Sequence, residues 1–298
     1  MRVAFIMPEI SVRPIGAAKI IYAYADNMST RGHRVVLIHP QHSLLTSQRS
    51  RFDMDRELSL IGGGEHASTP RDQPIASSDP HPWYASRSGV ENIIVQSLDE
   101  GSIGGPYDVI VATNRQVVSV MHRYSPSIGR KMYFLQDYES YLIGDSRERE
   151  ESRRVLQHVD WPIVATSLVI SRLVKSTTGR SCRVVPCGID KDVFRLLTPV
   201  DSQRRVMIGF QARTELTKRT ADALRALELA KPQIPANVKY WCFGYEHLAA
   251  IPPWITQHVA SSDDILCELY NGSKLFLVSS EHEGFGLPGA EAMTCGPR

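Results

Sequence analysis

Short, uninterrupted apolar runs alternate along this sequence with stretches whose apolar residues recur every three or four positions. Val3 to Met7 is such a run. It lacks the polar alternation of a half-exposed strand, so it reads as a parallel strand buried on both faces. A loop with Pro8, Pro14 and Gly16 follows. Ala17, Ile20, Ile21, Tyr24 and Met28 then recur at helical spacing. Gly32 is placed to end that helix, and Val35 to Ile38 is the next strand. Strand, helix and second apolar strand make a β-α-β unit, which commits the chain to a parallel sheet with right-handed crossovers.

The same rhythm runs to the end of the chain. Val109 to Ala112, Lys131 to Leu135, Ile163 to Thr166 and Arg183 to Val185 read as strands. Helices are expected near Gln116 to Tyr124 and from a Ser167 cap to about Thr178, with Gly179 ending the latter. Arg147 to Arg154 carries alternating charges and reads as a solvated helix face. Gln41 to Gly105 shows no clear period and includes Gly62, Gly63 and Gly64 in a row, so some of it is read as loop. After a connection from Pro186 to Val200 the pattern resumes. Arg205 to Phe210, Val238 to Phe243 and Lys274 to Ser279 are strands, the last of them read as buried on both faces. Thr220 to Ala230, Asp264 to Tyr270 and Pro288 to Cys295 are helices, with Asp263 and Asp264 read as an N-cap pair. The expectation is α/β, with two doubly wound Rossmann-like domains: residues 1–187, a hinge at 188–203, and residues 204–298.

Composition narrows the function classes. The 298 residues are 42% hydrophobic and 22% charged, ordinary for a soluble globular protein. Lys and Arg total 34 against 32 Asp and Glu, a net charge of only +2. A dedicated nucleic-acid binder would show a strong basic surplus, so no nucleic-acid partner is expected. The five cysteines are scattered, with no C-x-x-C pair. That fits a reducing cytoplasm better than a disulfide framework or a zinc site. No apolar run approaches the roughly 18 residues of a membrane span. The ten histidines give no paired ligand spacing. Neither a G-x-G-x-x-G after the first strand nor a G-x-x-x-x-G-K-[ST] is present, which disfavours a nicotinamide dehydrogenase and a P-loop NTPase.

The segment richest in chemistry is the last, a strand running into Ser279-Ser-Glu-His-Glu-Gly-Phe-Gly-Leu-Pro-Gly-Ala-Glu291. A glycine loop between strand and helix lies where open α/β sheets bind ligands. Gly284 and Gly286 let a ligand approach the backbone. Pro288 suits the first helical turn, and the helix N-terminus offers amides to an anion. Glu283 and Glu291, one before the glycine loop and one expected in the first turn, can accept hydrogen bonds from sugar diols. A plain tight turn with a capping glutamate fits the same residues. His282 reads as a neighbour in this loop and not as a catalyst.

E-G-F-G-L-P-G-A-E-A-M resembles the E-x7-E signature of glycosyltransferase family 4, retaining enzymes of the GT-B fold. Two further segments are similar to that family. Ile208-Gly-Phe-Gln-Ala-Arg213 with Lys218 resembles its strand followed by G-R-x4-K, although Gln211 and Ala212 intervene and Arg219 stands where Gly usually follows Lys. Val185-Pro-Cys-Gly-Ile-Asp190 with Phe194 resembles its interdomain hinge, with Cys187 in place of the usual Asn. Cys187 is read as structural. The resemblance implies two domains facing across a cleft. It implies that Glu291 holds the donor ribose, that Glu283 faces the donor sugar, and that the backbone of Gly284, Phe285, Gly286 and Leu287 lines sugar and phosphate. Arg213 and Lys218 would grip the diphosphate, a sound role because a departing nucleoside diphosphate builds negative charge. The alternative is a solvated basic loop.

The first half matches that family more loosely. Gly16 stands near a turn the family uses by donor and acceptor, and Asp137 in Tyr133-Phe-Leu-Gln-Asp-Tyr-Glu139 is a candidate acceptor-site group. A tight βα turn and a helix cap fit those two residues equally. The function implied is transfer of a sugar from a nucleotide-sugar donor to a hydroxyl of a glycan or lipid-linked acceptor, in bacterial surface-polysaccharide synthesis. No metal or other cofactor is expected. The implied location is cytoplasmic, compatible with peripheral contact at a membrane surface. Family members usually continue past the equivalent of Arg298, so the second domain is expected to be truncated. A non-catalytic nucleotide-sugar-binding protein, a phosphorylase and a sugar-nucleotide epimerase are the alternatives.

Overall fold

The computed structural model describes residues 1–12, 14–45, 80–86, 88–137 and 146–297. The described residues fall into two compact units, one ending at Cys187 and the other starting at Gly188.

The first unit is built on one parallel sheet. Its strands are β1 (Arg2–Ile6), β2 (Arg34–Pro40), β3 (Glu91–Val95), β4 (Val109–Ala112), β5 (Arg130–Leu135), β6 (Ile163–Ala165) and β7 (Arg183–Val184). Their order is β3-β2-β1-β4-β5-β6-β7, and every pairing is parallel. Chain order reverses between β1 and β4, which makes their carboxyl ends the switch point of this sheet. β1 and β4 are central, which is why they are nearly continuous apolar runs. Helix α1 (Gly16–Thr30) packs Ala18, Ile21, Tyr22 and Ala25 on one face, with Val3, Phe5, Val35, Leu37 and Val111. Ile6, Ile38, Ile110 and Ala112 point to the other face, against α2 (Arg115–Met121) and α3 (Ser146–His158). Helix α4 (Leu168–Thr178) starts where expected: Ser167 accepts from the Ile170 amide, and Gly179 ends it in the left-handed conformation at φ 73°. Strand β3 lies in the segment that shows no clear period, and most of that segment, including Gly62 to Gly64, is outside the described residues.

The second unit has a parallel sheet of order β10-β9-β8-β11. These strands are β8 (Met207–Gln211), β9 (Lys239–Gly244), β10 (Ile255–Val259) and β11 (Ser273–Leu277). Helix α5 (Thr220–Ala230) covers one face, and α6 (Asp263–Gly272) with α7 (Leu287–Cys295) covers the other. Trp241 on β9 is fully buried and fits only because Gly209 on β8 has no side chain; a Cβ there would lie 2.2 Å from the indole. Two readings are corrected. Ser262, and not the Asp263-Asp264 pair, caps α6 by accepting from the Ile265 amide; the two aspartates sit in the first turn. Strand β11 is not buried on both faces: it pairs with β8 alone among the described residues, and Leu275 is 37% exposed.

The 188–203 segment, expected as a hinge, docks onto this unit. Phe194 is buried with Trp241, Tyr270 and Phe276. Asn271 accepts from the Leu197 and Thr198 amides and donates to the Arg195 carbonyl. Arg205 is 3% exposed, and its guanidinium donates to five carbonyls, of Thr198, Pro199, Tyr270, Ser273 and Cys295. A guanidinium has five N–H donors, so this one is fully used. It ties the docked segment to the ends of α6 and α7.

Candidate functional site

Three loops at the carboxyl ends of β8, β9 and β11 carry the candidate site of the second unit. The first begins at Ala212 and returns at α5. Thr220 closes it, accepting from the Arg213 amide at 2.9 Å and donating to the Arg213 carbonyl at 2.7 Å. Between them Leu216 to Lys218 forms a single 3₁₀ turn, and Arg219 takes a left-handed conformation at φ 51°, ψ 41°. This is where the resembling family has glycine, so the backbone shape is kept although the residue is not. The turn is tied to the loop after β11: Ser279 donates to the Lys218 carbonyl at 2.8 Å, and the Glu281 amide donates to the Thr217 carbonyl at 2.8 Å.

That tie brings Lys218 to Glu283. Nζ lies 2.9 Å from Oε1, with the side chains 15% and 24% exposed. Two residues from separate sequence motifs thus meet. Arg213 pairs with Glu215, Nη2 to Oε1 at 2.6 Å and Nε to Oε2 at 3.1 Å. Its guanidinium also lies 3.4 Å from the centre of the Tyr245 ring, in the loop after β9. Each cation of the site is therefore matched by a carboxylate.

A small hollow beside this pair is lined by Gln211, Val278, Ser279, Glu283, Gly286 and Gly289 among others. Gly286 precedes α7 in the left-handed conformation at φ 85°, a shape that glycine takes without strain. Gly284 is not among the residues with positive φ, so the glycine requirement falls on Gly286. Phe285 and Leu287 are half-buried in the same loop, and Pro288 is in the first turn of α7 as expected. Glu291 differs from expectation. It lies beyond the first turn, is 5% exposed, and does not line the hollow. Burial, and secondarily the Glu291 charge, raises the Tyr270 hydroxyl well above its usual range. His282 lies 3.8 Å from the carboxylate of its neighbour Glu281.

In the first unit, Gly16 is the exposed first residue of α1, and Asp137 is exposed just past the end of β5. Both stand on the carboxyl side of the sheet. Any helix that Asp137 would cap lies outside the described residues. Burial pushes the Cys187 thiol up to about 12, so it stays protonated, as a structural role requires. Sequence reasoning missed Gln211, Glu215 and Tyr245. Gln211 carried a signal in its place at the end of a strand, whereas Glu215 and Tyr245 become meaningful only once β8 and β9 are paired.

A divalent cation would need a cluster of carboxylates or imidazoles, and no group of three or more His, Cys, Asp or Glu suited to a metal occurs among the described residues. No helix among them is long and apolar enough to cross a membrane.

No protein-family model matches the chain. The chain is similar to the crystal structure of HepE from Anabaena in complex with UDP and glucose, at TM-score 0.65 and 16% identity over 100% of this chain and 79% of that one. TarM of S. aureus, solved with UDP and α-GlcNAc-glycerol, matches at TM-score 0.66 and 8% identity over 98% of this chain and 84% of that one. WaaG, a glycosyltransferase involved in lipopolysaccharide biosynthesis, matches at TM-score 0.60 and 14% identity over 99% and 82%. These likenesses show the fold, which is that of the GT-B glycosyltransferases. In sequence, 35 residues are 63% identical to the serotype-specific mannosyltransferase WbdA of Escherichia coli. That stretch is 12% of this chain and 4% of the relative's length.

Proposed function

We propose that this chain carries the donor site of a retaining glycosyltransferase of family 4. It moves a sugar from a nucleotide-sugar donor to a hydroxyl of a glycan or lipid-linked acceptor in polysaccharide synthesis. The observation that carries the reading is the Lys218–Glu283 contact, because it joins the R-x4-K and E-x7-E segments in one site at the carboxyl ends of the strands. What is known of the similar proteins by name supports it. HepE and TarM bind UDP, WaaG acts in lipopolysaccharide biosynthesis, and WbdA is a mannosyltransferase.

In this reading Arg213 and Lys218 take the diphosphate, and Lys218 releases Glu283 as it arrives. Charge on the leaving phosphate grows as the glycosidic bond breaks, so cations held in place stabilise the transition state more than the ground state. The departing phosphate assists deprotonation of the incoming hydroxyl on the same face, and no protein nucleophile is needed. Glu283 faces the sugar. Glu291, buried in α7, holds the ribose. The acceptor is taken at the carboxyl side of the first sheet, near Gly16 and Asp137. The protein works in the cytoplasm, with peripheral contact at the membrane surface where a lipid-linked acceptor resides.

The test is donor turnover and nucleoside diphosphate binding by the full chain and two variants. Glu291→Ala is expected to weaken diphosphate binding by about 1.5–3 kcal/mol, the worth of hydrogen bonds to a charged group. Glu283→Ala is expected to depress turnover more than it depresses binding of the diphosphate. Equal loss of both in Glu283→Ala, or unchanged affinity in a folded Glu291→Ala protein, overturns these roles. Because side-chain cations serve the diphosphate, turnover is expected to be insensitive to EDTA. Activity abolished by EDTA and restored by Mg²⁺ or Mn²⁺ would refute this.

A further inference from the structure

The geometry points to Glu215 and Tyr245 as positioning residues that fix Arg213 for the diphosphate of the donor, an inference that rests on the reading of Arg213 given above. A loop is a poor place for a long, rotamer-rich side chain that must meet a charged group at one orientation. Arg213 follows β8 directly, and Thr220 anchors only its backbone. Its side chain needs a separate support, and two residues supply one.

Glu215 takes two donors of the guanidinium, Nε at 3.1 Å and Nη2 at 2.6 Å. This two-point contact sets the plane of the group. Tyr245 covers a face of that plane, with the guanidinium carbon 3.4 Å from its ring centre. Its hydroxyl donates to the same Glu215 Oε1 at 2.6 Å, so the carboxylate is itself held. The two supports come from different loops. Gln211 at the end of β8 pairs with Phe243 on β9, which brings the loop carrying Arg213 and Glu215 beside the loop carrying Tyr245. Thr214 donates to Glu246 at 3.2 Å and joins the two loops a second time. Arg213 is 12% exposed under this clamp, against 35% for Glu215. The ring and the carboxylate both bear on the guanidinium, and the role assigned to them is exercised through Arg213.

The alternative role for Glu215 is that of a competitor that must leave before phosphate can bind. The two roles have opposite signs. If Glu215 positions, its removal weakens diphosphate binding; if it competes, removal tightens it. Calorimetric titration of the full chain with UDP and with GDP, and NMR titration with uridine and guanosine, separates them. Glu215→Ala is expected to weaken the diphosphate that binds wild type by about tenfold, the loss of roughly one charge-assisted contact. Tyr245→Phe keeps the ring, removes only the hydroxyl, and is expected to cost about threefold. Nucleoside affinity should not change in either, a split that general loosening of the unit would not give. In an Arg213→Ala background, Glu215→Ala should cost nothing more, because it acts through the missing group.

Three results fall against the proposal. Tighter or unchanged diphosphate binding in both Glu215→Ala and Tyr245→Phe, while Arg213→Ala weakens it, overturns the positioning roles and leaves the donor-site reading standing. Equal loss for nucleoside and diphosphate also overturns the positioning roles. Unchanged binding in Arg213→Ala, or a wild type that binds neither UDP nor GDP, removes the role of Arg213 and the inference with it. Should Glu215→Ala not fold, as judged by its thermal melt, the hydroxyl deletion alone decides.

Discussion

Arg219 shows how a residue can depart from a pattern while the backbone keeps it. Its left-handed φ of 51° places Lys218 beside the loop after β11 and opens α5 at Thr220. A residue with a Cβ in that conformation costs roughly 1–2 kcal/mol, which glycine avoids. Arg219 also pairs with Asp222 at 2.6 Å, but that pair is exposed. An exposed pair of this kind is worth about 0–1 kcal/mol. The clean comparison is therefore between two variants that both lose the pair. Arg219→Gly is expected to be more stable than Arg219→Ala by about 1 kcal/mol, the reverse of the usual order of these residues in ordered structure. Urea unfolding of the two proteins measures it. A more stable alanine variant would mean that the turn relaxes out of the left-handed region. From sequence, Arg219 stood out only as a mismatch; its conformation could not be read there, because φ depends on where Thr217 and Lys218 are tied.

The strands at the centre of each sheet were the most legible in the sequence, although the edge strands β7 and β11 were read as well. β1, β4, β8 and β9 are flanked on both sides, so both faces are apolar and the run is continuous. The two strands that escaped notice, β3 and β10, are sheet edges. Edge position lets polar or solvent-exposed positions into the strand: Ile94 is 38% exposed in β3, and Gln257 and His258 sit in β10. Neither an alternating nor a continuous pattern results. Helix starts were harder to place than helices. At α6 the sequence offers Ser262, Asp263 and Asp264 in a row, all good caps, and only the extended backbone of Ser262, at φ −66° and ψ 160°, decides between them. Ser262→Ala is accordingly expected to cost about 1 kcal/mol, and Asp264→Ala less than half of that, since an aspartate in the first turn gains only from the helix dipole. Circular dichroism melts of the pair would show it; an equal cost would return the cap to the aspartates.

At the scale of the molecule, the sequence showed two α/β units and the loops that carry chemistry, because strand, glycine loop and proline-led helix are consecutive. It did not show which loops meet. The Lys218–Glu283 contact spans 65 positions, and the clamp on Arg213 spans two strands. The two units also have separate cores. Ile6, Ile38 and Ile110 belong to one, while Phe210, Leu224 and Tyr240 belong to the other, and the clusters share no residue. Cores that do not share side chains can unfold one at a time, and a ligand raises the melting point only of the unit that binds it. Scanning calorimetry is therefore expected to resolve two transitions, with nucleoside diphosphate moving one. The same transition should identify Arg205. A lysine offers three donors where the guanidinium donates to five carbonyls, so Arg205→Lys loses at least two charge-assisted hydrogen bonds. At about 1.5–3 kcal/mol for each bond to a charged group, the loss is roughly 3 kcal/mol, all of it in the second unit. The transition raised by ligand should be the one lowered by Arg205→Lys, and the other should stay in place. A single transition that shifts as a whole in both experiments would show that the two cores unfold together.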